Sequence, residues 1–393
     1  MTGWHRRGAV TSSTKQIHDV RELNGRTCDV YYRDFDAKIS FIVPIYNAAY
    51  TLEWALGSLF AQNCDGGVEI VCVDDGSTDE SREIIDRFAQ DPRVVIVSHR
   101  KNAGYGAAMN DGIAVARGAW IGILEPDDYI LPGMAAELMR VAEGHDCDIV
   151  KSPYIREVRD DGVPRGDTPR EHLQCSYRYR IHPKTEVFTI TDPGVVHVLR
   201  HHPSIWSAIY RKGFLEENGI RFHEYPGAGW ADNEFFYDTL LRGRICYVDE
   251  PFYVYREETL EEATSFDVKN KTLPFDRWQS MADIIERLGI TDEGVLKSHI
   301  SKGFTYFNGA YRSNGEDPEV IAAAHAMFDR MDPELVADEV KLNPSIRERF
   351  AAYRGVPVKS SRFRYKLSLV SEFVYRSRSN GLNYAIRCVK EYL

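Results

Sequence analysis

Two acidic clusters follow apolar runs in this chain, Val73-Asp74-Asp75-Gly76-Ser77 and Leu124-Glu125-Pro126-Asp127-Asp128, both downstream of Ile42-Val43-Pro44-Ile45-Tyr46-Asn47. Carboxylates that end successive strands of one parallel sheet emerge together at its carboxyl edge, where open α/β folds bind ligands. Hard divalent cations such as Mg²⁺ and Mn²⁺ take one or two carboxylates and complete their shell with phosphate oxygens. Asp127 is the first choice of metal ligand, because Pro126 fixes one φ angle and stiffens the turn that presents it. Such a site suits a sugar diphosphate held through a cation. Asp74 or Asp75 can accept a hydrogen bond from a nucleobase or ribose, and Tyr46, beside Pro44 and Asn47, can flank a base. Each motif also has a plainer role. Asp-Gly-Ser-Thr-Asp is good turn and capping sequence in any protein, and Glu125 to Asp128 can be a solvated loop. The shared sheet edge favours the ligand-binding reading.

The elements that position these residues show in the hydrophobic pattern. Ile39 to Val43 is a buried-strand run, followed by Leu52, Ala55, Leu56 and Leu59 at helical spacing. Val68 to Val73 is a second strand, and Ser77-Thr78-Asp79-Glu80 has the form of a capping box opening a helix with Ile84, Ile85 and Phe88 inward. Val94 to Val97 is a third strand, Gly104 to Arg117 a helix of small residues, and Ala119 to Leu124 a fourth strand. This alternation predicts an α/β fold with a mostly parallel sheet and right-handed crossovers. Residues 1–37 lack periodicity and read as an N-terminal extension. Between about 150 and 258 shorter strands such as Ile245 to Val248 and Pro251 to Tyr255 complete the sheet. From 259 to 393 the period is helical, through Trp278, Met281, Ile300, Phe304, Phe307 and Phe328, and predicts a C-terminal helical domain.

The chain has 393 residues, enough for a full core, and a formal net charge of −10 that argues against general affinity for nucleic acid. Its seven cysteines are scattered and read as reduced thiols. No run approaches the ~20 apolar residues of a membrane span and no signal-peptide run follows Arg6 and Arg7, so the expected compartment is the cytosol.

In order and spacing, Ser40 to Asn47, Val73 to Asp79, Asn102-Ala103-Gly104 with Ala108 and Asn110, and Glu125 to Asp128 resemble the family 2 glycosyltransferases. The likeness continues more weakly through Trp206, Tyr210-Arg211-Lys212 and Ile220-Arg221-Phe222 to Trp230-Ala231-Asp232-Asn233-Glu234-Phe235. It implies a Rossmann-like glycosyltransferase-A fold over 38–258, with a nucleotide-sugar half (38–130) and an acceptor half (131–258). The implied reaction is inverting transfer of a sugar from a nucleotide donor, usually a uridine diphosphate sugar, to a hydroxyl of a glycan or lipid-linked glycan. By matching position, Asp75 contacts the uracil, Pro44 and Tyr46 line that pocket, Asp127 binds Mn²⁺ or Mg²⁺, and Glu125 faces ribose or metal-bound water. Asp232 is the implied general base. Glu125 stands where the family has Asp, and Ala231 stands where it has Glu.

Other residues are weaker candidates. Trp230 can form a platform for an acceptor sugar, and Arg256 can clamp a diphosphate or equally pair with nearby acids; Trp206, His201, His202 and His223 read more plainly as packing or surface residues. Asp232 can alternatively cap the helix that begins there. Lys359 to Leu393 holds eight Lys or Arg against two Glu, with Phe363, Leu367, Leu369, Val370, Phe373 and Val374 among them. Such a segment either packs on its own domain or rests peripherally on the inner face of an anionic membrane. A nucleotidyltransferase would carry a Gly-rich basic loop, which Lys38 to Asn47 lacks. A non-catalytic sugar- or nucleotide-binding module of the same fold is the remaining alternative, left open by Glu125 and Ala231.

Overall fold

The computed structural model describes residues 16–158, 173–192, 194–226, 230–257, 271–339, 341–357 and 362–392. Its strands are β1 (Ile17–Leu23), β2 (Arg26–Tyr32), β3 (Ile39–Ile45), β4 (Val68–Asp74), β5 (Val94–Ser98), β6 (Trp120–Ile123), β7 (Tyr129–Ile130), β8 (Ile149–Lys151), β9 (Tyr154–Val158), β10 (Leu173–Ser176), β11 (Ala208–Arg211), β12 (Ile245–Tyr247) and β13 (Tyr253–Glu257). The helices are α1 (Ala49–Phe60), α2 (Ser81–Phe88), α3 (Tyr105–Val115), α4 (Met134–Gly144), α5 (Lys212–Glu217), α6 (Asp232–Arg242), α7 (Leu273–Arg287), α8 (Glu293–Asn314), α9 (Pro318–Asp329), α10 (Pro333–Asp338), α11 (Pro344–Arg354), α12 (Arg362–Asn380) and α13 (Leu382–Tyr392).

The main sheet has nine strands in the order β1-β2-β5-β4-β3-β6-β11-β8-β12. Its centre, β5-β4-β3-β6, is parallel. Every residue of β3, β4 and β6 is buried, as continuous apolar runs covered on both faces must be. The register sets Ile45 opposite Asp74 and Asp74 opposite Ser98, so these strands finish level. The chain steps from β3 through β4 to β5 on one side and then places β6 on the other side of β3. A topological switch point therefore lies between β3 and β6, which is where such sheets open a ligand crevice.

Outside this centre the sheet is mixed. β11 runs antiparallel to β6 and β8, and β12 pairs parallel with β8. The expected strand near Ile245 joins the main sheet, whereas the one near Tyr253 belongs to a second sheet of four strands, β10-β9-β13-β7.

Part of the expected N-terminal extension is built into the main sheet. β1 and β2 form a hairpin, and β2 pairs antiparallel with β5. Asn24 and Gly25 make its turn at φ of +50° and +80°. An Asn-Gly pair is the favoured sequence for a two-residue turn whose residues are both left-handed. The alternation around it is weak because Asp19 and Arg21 share the half-buried face of β1 with Ile17 and Leu23, while Val20 is exposed.

The expected capping box does not form. Glu80 precedes α2 without a side-chain cap, while Asp79 accepts from Ser81 N at 3.0 Å and from Ala49 N at 3.0 Å. Ser77 is drawn away to accept from Asn47 N at 3.2 Å. Competition from the neighbouring strand end thus decides this turn. Asp232 is likewise not a cap: Ala231 precedes α6 and Asp232 lies in its first turn.

The small residues of α3 let it lie close against the sheet. A methyl group on Gly112 would stand 2.5 Å from Ile42 Cγ2 and 3.0 Å from Val73 Cγ2. One on Gly57 in α1 would meet nothing within 4 Å. Gly112→Ala is expected to destabilise the protein by about 1–3 kcal/mol through overpacking, while Gly57→Ala gains about 0.5–1 kcal/mol of helix propensity. Urea denaturation of the two variants measures both signs.

Candidate active site

A cavity of about 640 Å³ opens at the switch point, lined by the segment Pro44 to Ala48, by Tyr50 and Thr51, by Asp75, by Asn102, Gly104, Tyr105 and Ala108, and by Glu125, Pro126 and Asp127. Its acids come from the ends of β4 and β6. Asp75 is buried, and its amide donates to Ile45 O at 2.8 Å. Its carboxylate accepts from His99 Nδ1 at 2.6 Å, Ala103 N at 2.8 Å and Gly104 N at 2.9 Å. The strand end, the following loop and the start of α3 are thereby tied to one side chain. Asp74 does not line the cavity; its carboxylate accepts from Ser77 N at 3.0 Å and shapes the turn. Asn47 lines the cavity at φ +51°, and its Oδ1 accepts from Thr78 N at 2.8 Å. Tyr46 is half exposed at the rim.

His99 sits between two carboxylates, with Nδ1 on Asp75 and Nε2 on Asp111 at 3.1 Å. Burial opposes its charge, but hydrogen bonds with Asp111 and Asp75 outweigh that and push its pKa up to about 9. Asp111 also binds Arg26 Nε at 2.8 Å and Asn24 Nδ2 at 2.5 Å, so the N-terminal hairpin is anchored to the cavity wall. Cys28, His99 and Asp111 lie close enough to hold a metal ion. The chemistry is against it: Arg26 already supplies a cation, His99 is held protonated, and burial pushes the Cys28 thiol up to about 11. The cluster is a hydrogen-bonded strut.

The acidic loop after β6 divides its carboxylates between structure and solvent. Asp128 is buried and accepts from Arg256 N and Tyr253 Oη, each at 2.7 Å. Tyr253 Oη accepts in turn from Glu125 N at 3.1 Å, and Trp206 stacks on the Tyr253 ring at 4.1 Å. Trp206 is thus core packing beneath the loop. Arg256 is also buried. Its Nη1 donates to the carbonyl of Asp127 at 2.9 Å and its Nε faces Glu157 at 3.4 Å. Of its two expected roles Arg256 takes the pairing with a nearby acid, and it braces the backbone of Asp127, whose side chain is exposed at the cavity.

Glu125 accepts from Tyr105 Oη at 2.6 Å. Its pKa is pushed up to about 8, first by burial and then by the charges of Asp127 and Asp232, against the Tyr105 hydrogen bond. Two hard carboxylates side by side, each penalising the other's charge, are a donor set that a divalent cation relieves. Glu125 and Asp127 fit such an ion.

Asp232 lines a smaller cavity of about 270 Å³ with Arg200, His201, His202, Pro203, Trp230, Asn233, Lys302, Thr305 and Tyr306. It is near enough for its charge to raise the proton affinity of both Glu125 and Tyr105. Burial pushes its own pKa up to about 7, with Glu234 raising it and Lys302 lowering it. Glu234, two residues on, is buried and bound to Arg277 Nη1 at 3.1 Å, so Asp232 is the acid that opens to the cavity. Trp230 stands at φ +56° with its ring 5.2 Å from that of Tyr306. His223 lines neither cavity and meets Tyr225 Oη at 3.1 Å.

Tyr105, His99, Lys302 and Tyr306 were missed in the sequence. Lys302 carries the clearest overlooked signal, since with His299 and Tyr306 it interrupts the inward face of α8 between Ile300 and Phe304. Its ammonium donates to His201 O at 2.7 Å, and burial pushes its pKa down to about 8.

A histidine pKa raised to about 9 from an unfolded value of about 6.5 contributes stability that is fully present below pH ~6.5 and is lost as pH rises through about 9. His99→Gln is expected to lose on the order of 3 kcal/mol at pH 6 and to flatten this part of the stability profile. Urea melts at pH 6, 7.5 and 9 read both effects.

Residues 40–216 match the profile of Glycosyl transferase family 2. The uncharacterized glycosyltransferase EpsJ of Bacillus subtilis is 30% identical over 228 residues, 56% of this chain and 61% of its own length. The uncharacterized glycosyltransferase YibD of Escherichia coli is 28% identical over 305 residues, 76% of this chain and 81% of its own. The chain thus spans about 60% of the length of relatives such as EpsJ. Among solved structures, residues 1–349 of S. aureus TarS in complex with UDP-GlcNAc superpose with a TM-score of 0.64 at 20% identity, covering 86% of this chain and 92% of that one. The fold is that of the glycosyltransferase-A class, and within it residues 40–216 are similar to glycosyl transferase family 2.

Proposed function

We propose that this chain is an inverting glycosyltransferase that moves a sugar from a uridine diphosphate sugar to a glycan hydroxyl in polysaccharide synthesis. The observation that carries the reading is the meeting of Asp75, Glu125 and Asp127 in one cavity, with Asp232 within electrostatic reach of Glu125. The cavity of about 640 Å³ has the size of a nucleotide site, and the UDP-GlcNAc bound by TarS supports the choice of donor.

In this reading Asp75 faces the uracil, fixed in place by His99 and two backbone amides. Pro44 and Tyr46 flank the base. Asp127 binds a Mn²⁺ or Mg²⁺ ion with Glu125 beside it, and that ion, when bound, acts as Lewis acid on the departing diphosphate. Tyr105 holds the orientation of Glu125. Asp232 takes the proton of the acceptor hydroxyl as its oxygen attacks the anomeric carbon, while Trp230 and Tyr306 offer aromatic faces to the acceptor sugar. A direct attack inverts the anomeric centre, whereas retention by double displacement needs a carboxylate nucleophile as well. A carboxylate titrating near 7 is well matched to a general base at neutral pH.

Asp127→Ala is expected to abolish Mn²⁺-dependent binding of UDP by calorimetry together with turnover. Asp232→Asn is expected to keep UDP affinity and lose transfer by about 10²–10⁴-fold. Unchanged UDP affinity in the Asp127 variant overturns the metal assignment, and absence of UDP release from any UDP-sugar by the folded wild type favours the binding-module alternative. At saturating metal, kcat/KM should rise with pH along a limb centred near 7, the ionisation of Asp232, and a stopped-pH series measures it.

A further inference from the structure

The helix α12 runs for 19 residues without one buried side chain. Phe363, Leu367, Val370 and Val374 are 70%, 53%, 60% and 60% exposed. At 100° per residue their positions fall within an arc of about 60°, so they form one continuous apolar row. Lys366 and Arg378 border that row, with Arg362 and Arg364 one step further round on either side. Glu372, the acid of this helix, points the opposite way, where it binds Arg180 at 2.6 Å and Arg376 at 2.9 Å. Asn380 Oδ1 accepts from Cys175 N at 2.6 Å, so the helix is fastened to the second sheet by its inner face and far end. The segment is fastened to its own domain as expected, with Leu369 and Phe373 half-buried, but Phe363, Leu367, Val370 and Val374 face outward.

We propose that α12 is a docking face for an anionic lipid surface. An apolar row set between cations, on a helix fastened from behind, matches the requirements of a helix lying in the plane of a membrane interface: hydrocarbon for the row and acidic headgroups for its borders. The long Lys366 side chain can reach the headgroups while its stem follows the row inward, and Arg378 borders the far end of the row with its guanidinium 5.2 Å from the centre of the Tyr179 ring. Arg362 and Arg364 stand 3.7 and 3.9 Å from Glu348 and Asp338, exposed pairs too long to cancel the face. A second copy of the chain fits less well, because two such rows brought together set cationic borders against each other. No described helix is long and apolar enough to cross a membrane, so the contact is peripheral.

Flotation of the full chain with phosphatidylcholine vesicles, with and without phosphatidylglycerol, tests this. The chain should float only with the anionic vesicles and less so in high salt. Leu367→Glu with Val370→Glu should cut recovery by about tenfold or more, as should Lys366→Glu with Arg378→Glu. The exposed positions predict unchanged thermal melting and unchanged UDP release in all these variants, which separates failure of docking from failure of the enzyme. Equal flotation of wild type and variants, or no flotation of wild type on anionic vesicles, overturns the proposal. A dimer in light scattering that Val370→Glu dissociates, without vesicle binding, also overturns it and makes the row a self-association seam.

Discussion

Too many carboxylates meet at one edge of this sheet, and how each is compensated organises the molecule. Parallel strands in level register deliver Asp75 and the Glu125–Asp128 loop to the same place, and α6 brings Asp232 and Glu234 nearby. Three of these acids are answered by fixed protein donors. Asp75 is answered by His99 and two amides, Asp128 by Tyr253 and the Arg256 amide, and Glu234 by Arg277. Glu125 and Asp232 have raised proton affinities, as does Asp128 despite its two donors, and Glu234 keeps one buried oxygen without a partner. A buried charge without full compensation costs stability, and such costs gather where a ligand or a proton is to be taken up.

The compensating groups come from every part of the chain, which makes the candidate site a product of the whole fold. His99 follows β5, and its second carboxylate, Asp111, is tied to the N-terminal hairpin through Arg26. Arg277 lies on α7, and Lys302 and Tyr306 on α8, beyond the segment that matches the family profile. Tyr306 Oη donates to Asn233 Oδ1 at 2.7 Å, beside Asp232, while the Trp278 ring stacks on His299 at 4.2 Å in the layer behind. The helical region therefore contributes the wall of the Asp232 cavity as well as its own core.

How much of this was readable from the sequence depends on how local the signal is. Ile39 to Ile45 and Val68 to Asp74 announce themselves by continuous burial, and the acids that follow them inherit a predictable direction. The hairpin at Asn24-Gly25 carried a sufficient turn signal, overlooked because charged residues blur its alternation. Ser77 misled because its hydroxyl serves Asn47 across the crevice while Asp79 caps Ser81 and holds Ala49, a tertiary competition that local spacing does not reveal. Arg256 was open in a similar way: a cation of this kind reads equally as a diphosphate clamp or as a partner of nearby acids, and the fold sets it against Glu157 and the Asp127 carbonyl.

The same accounting explains the opposite treatment of neighbouring residues. Asp127 and Asp128 are adjacent, yet one is exposed at the cavity and the other almost fully enclosed. The cause is β7, which begins at Tyr129 and pairs with β13, pulling Asp128 under the loop to meet Tyr253 and Arg256. Once Asp128 is fixed, Pro126 limits what the loop can do, and Asp127 is turned outward with its carbonyl held from behind. A rigid support for an exposed carboxylate reduces the ordering cost of binding to it. Replacing Arg256 would therefore loosen the acid that faces the ligand without touching the ligand itself, which distinguishes a brace from a contact.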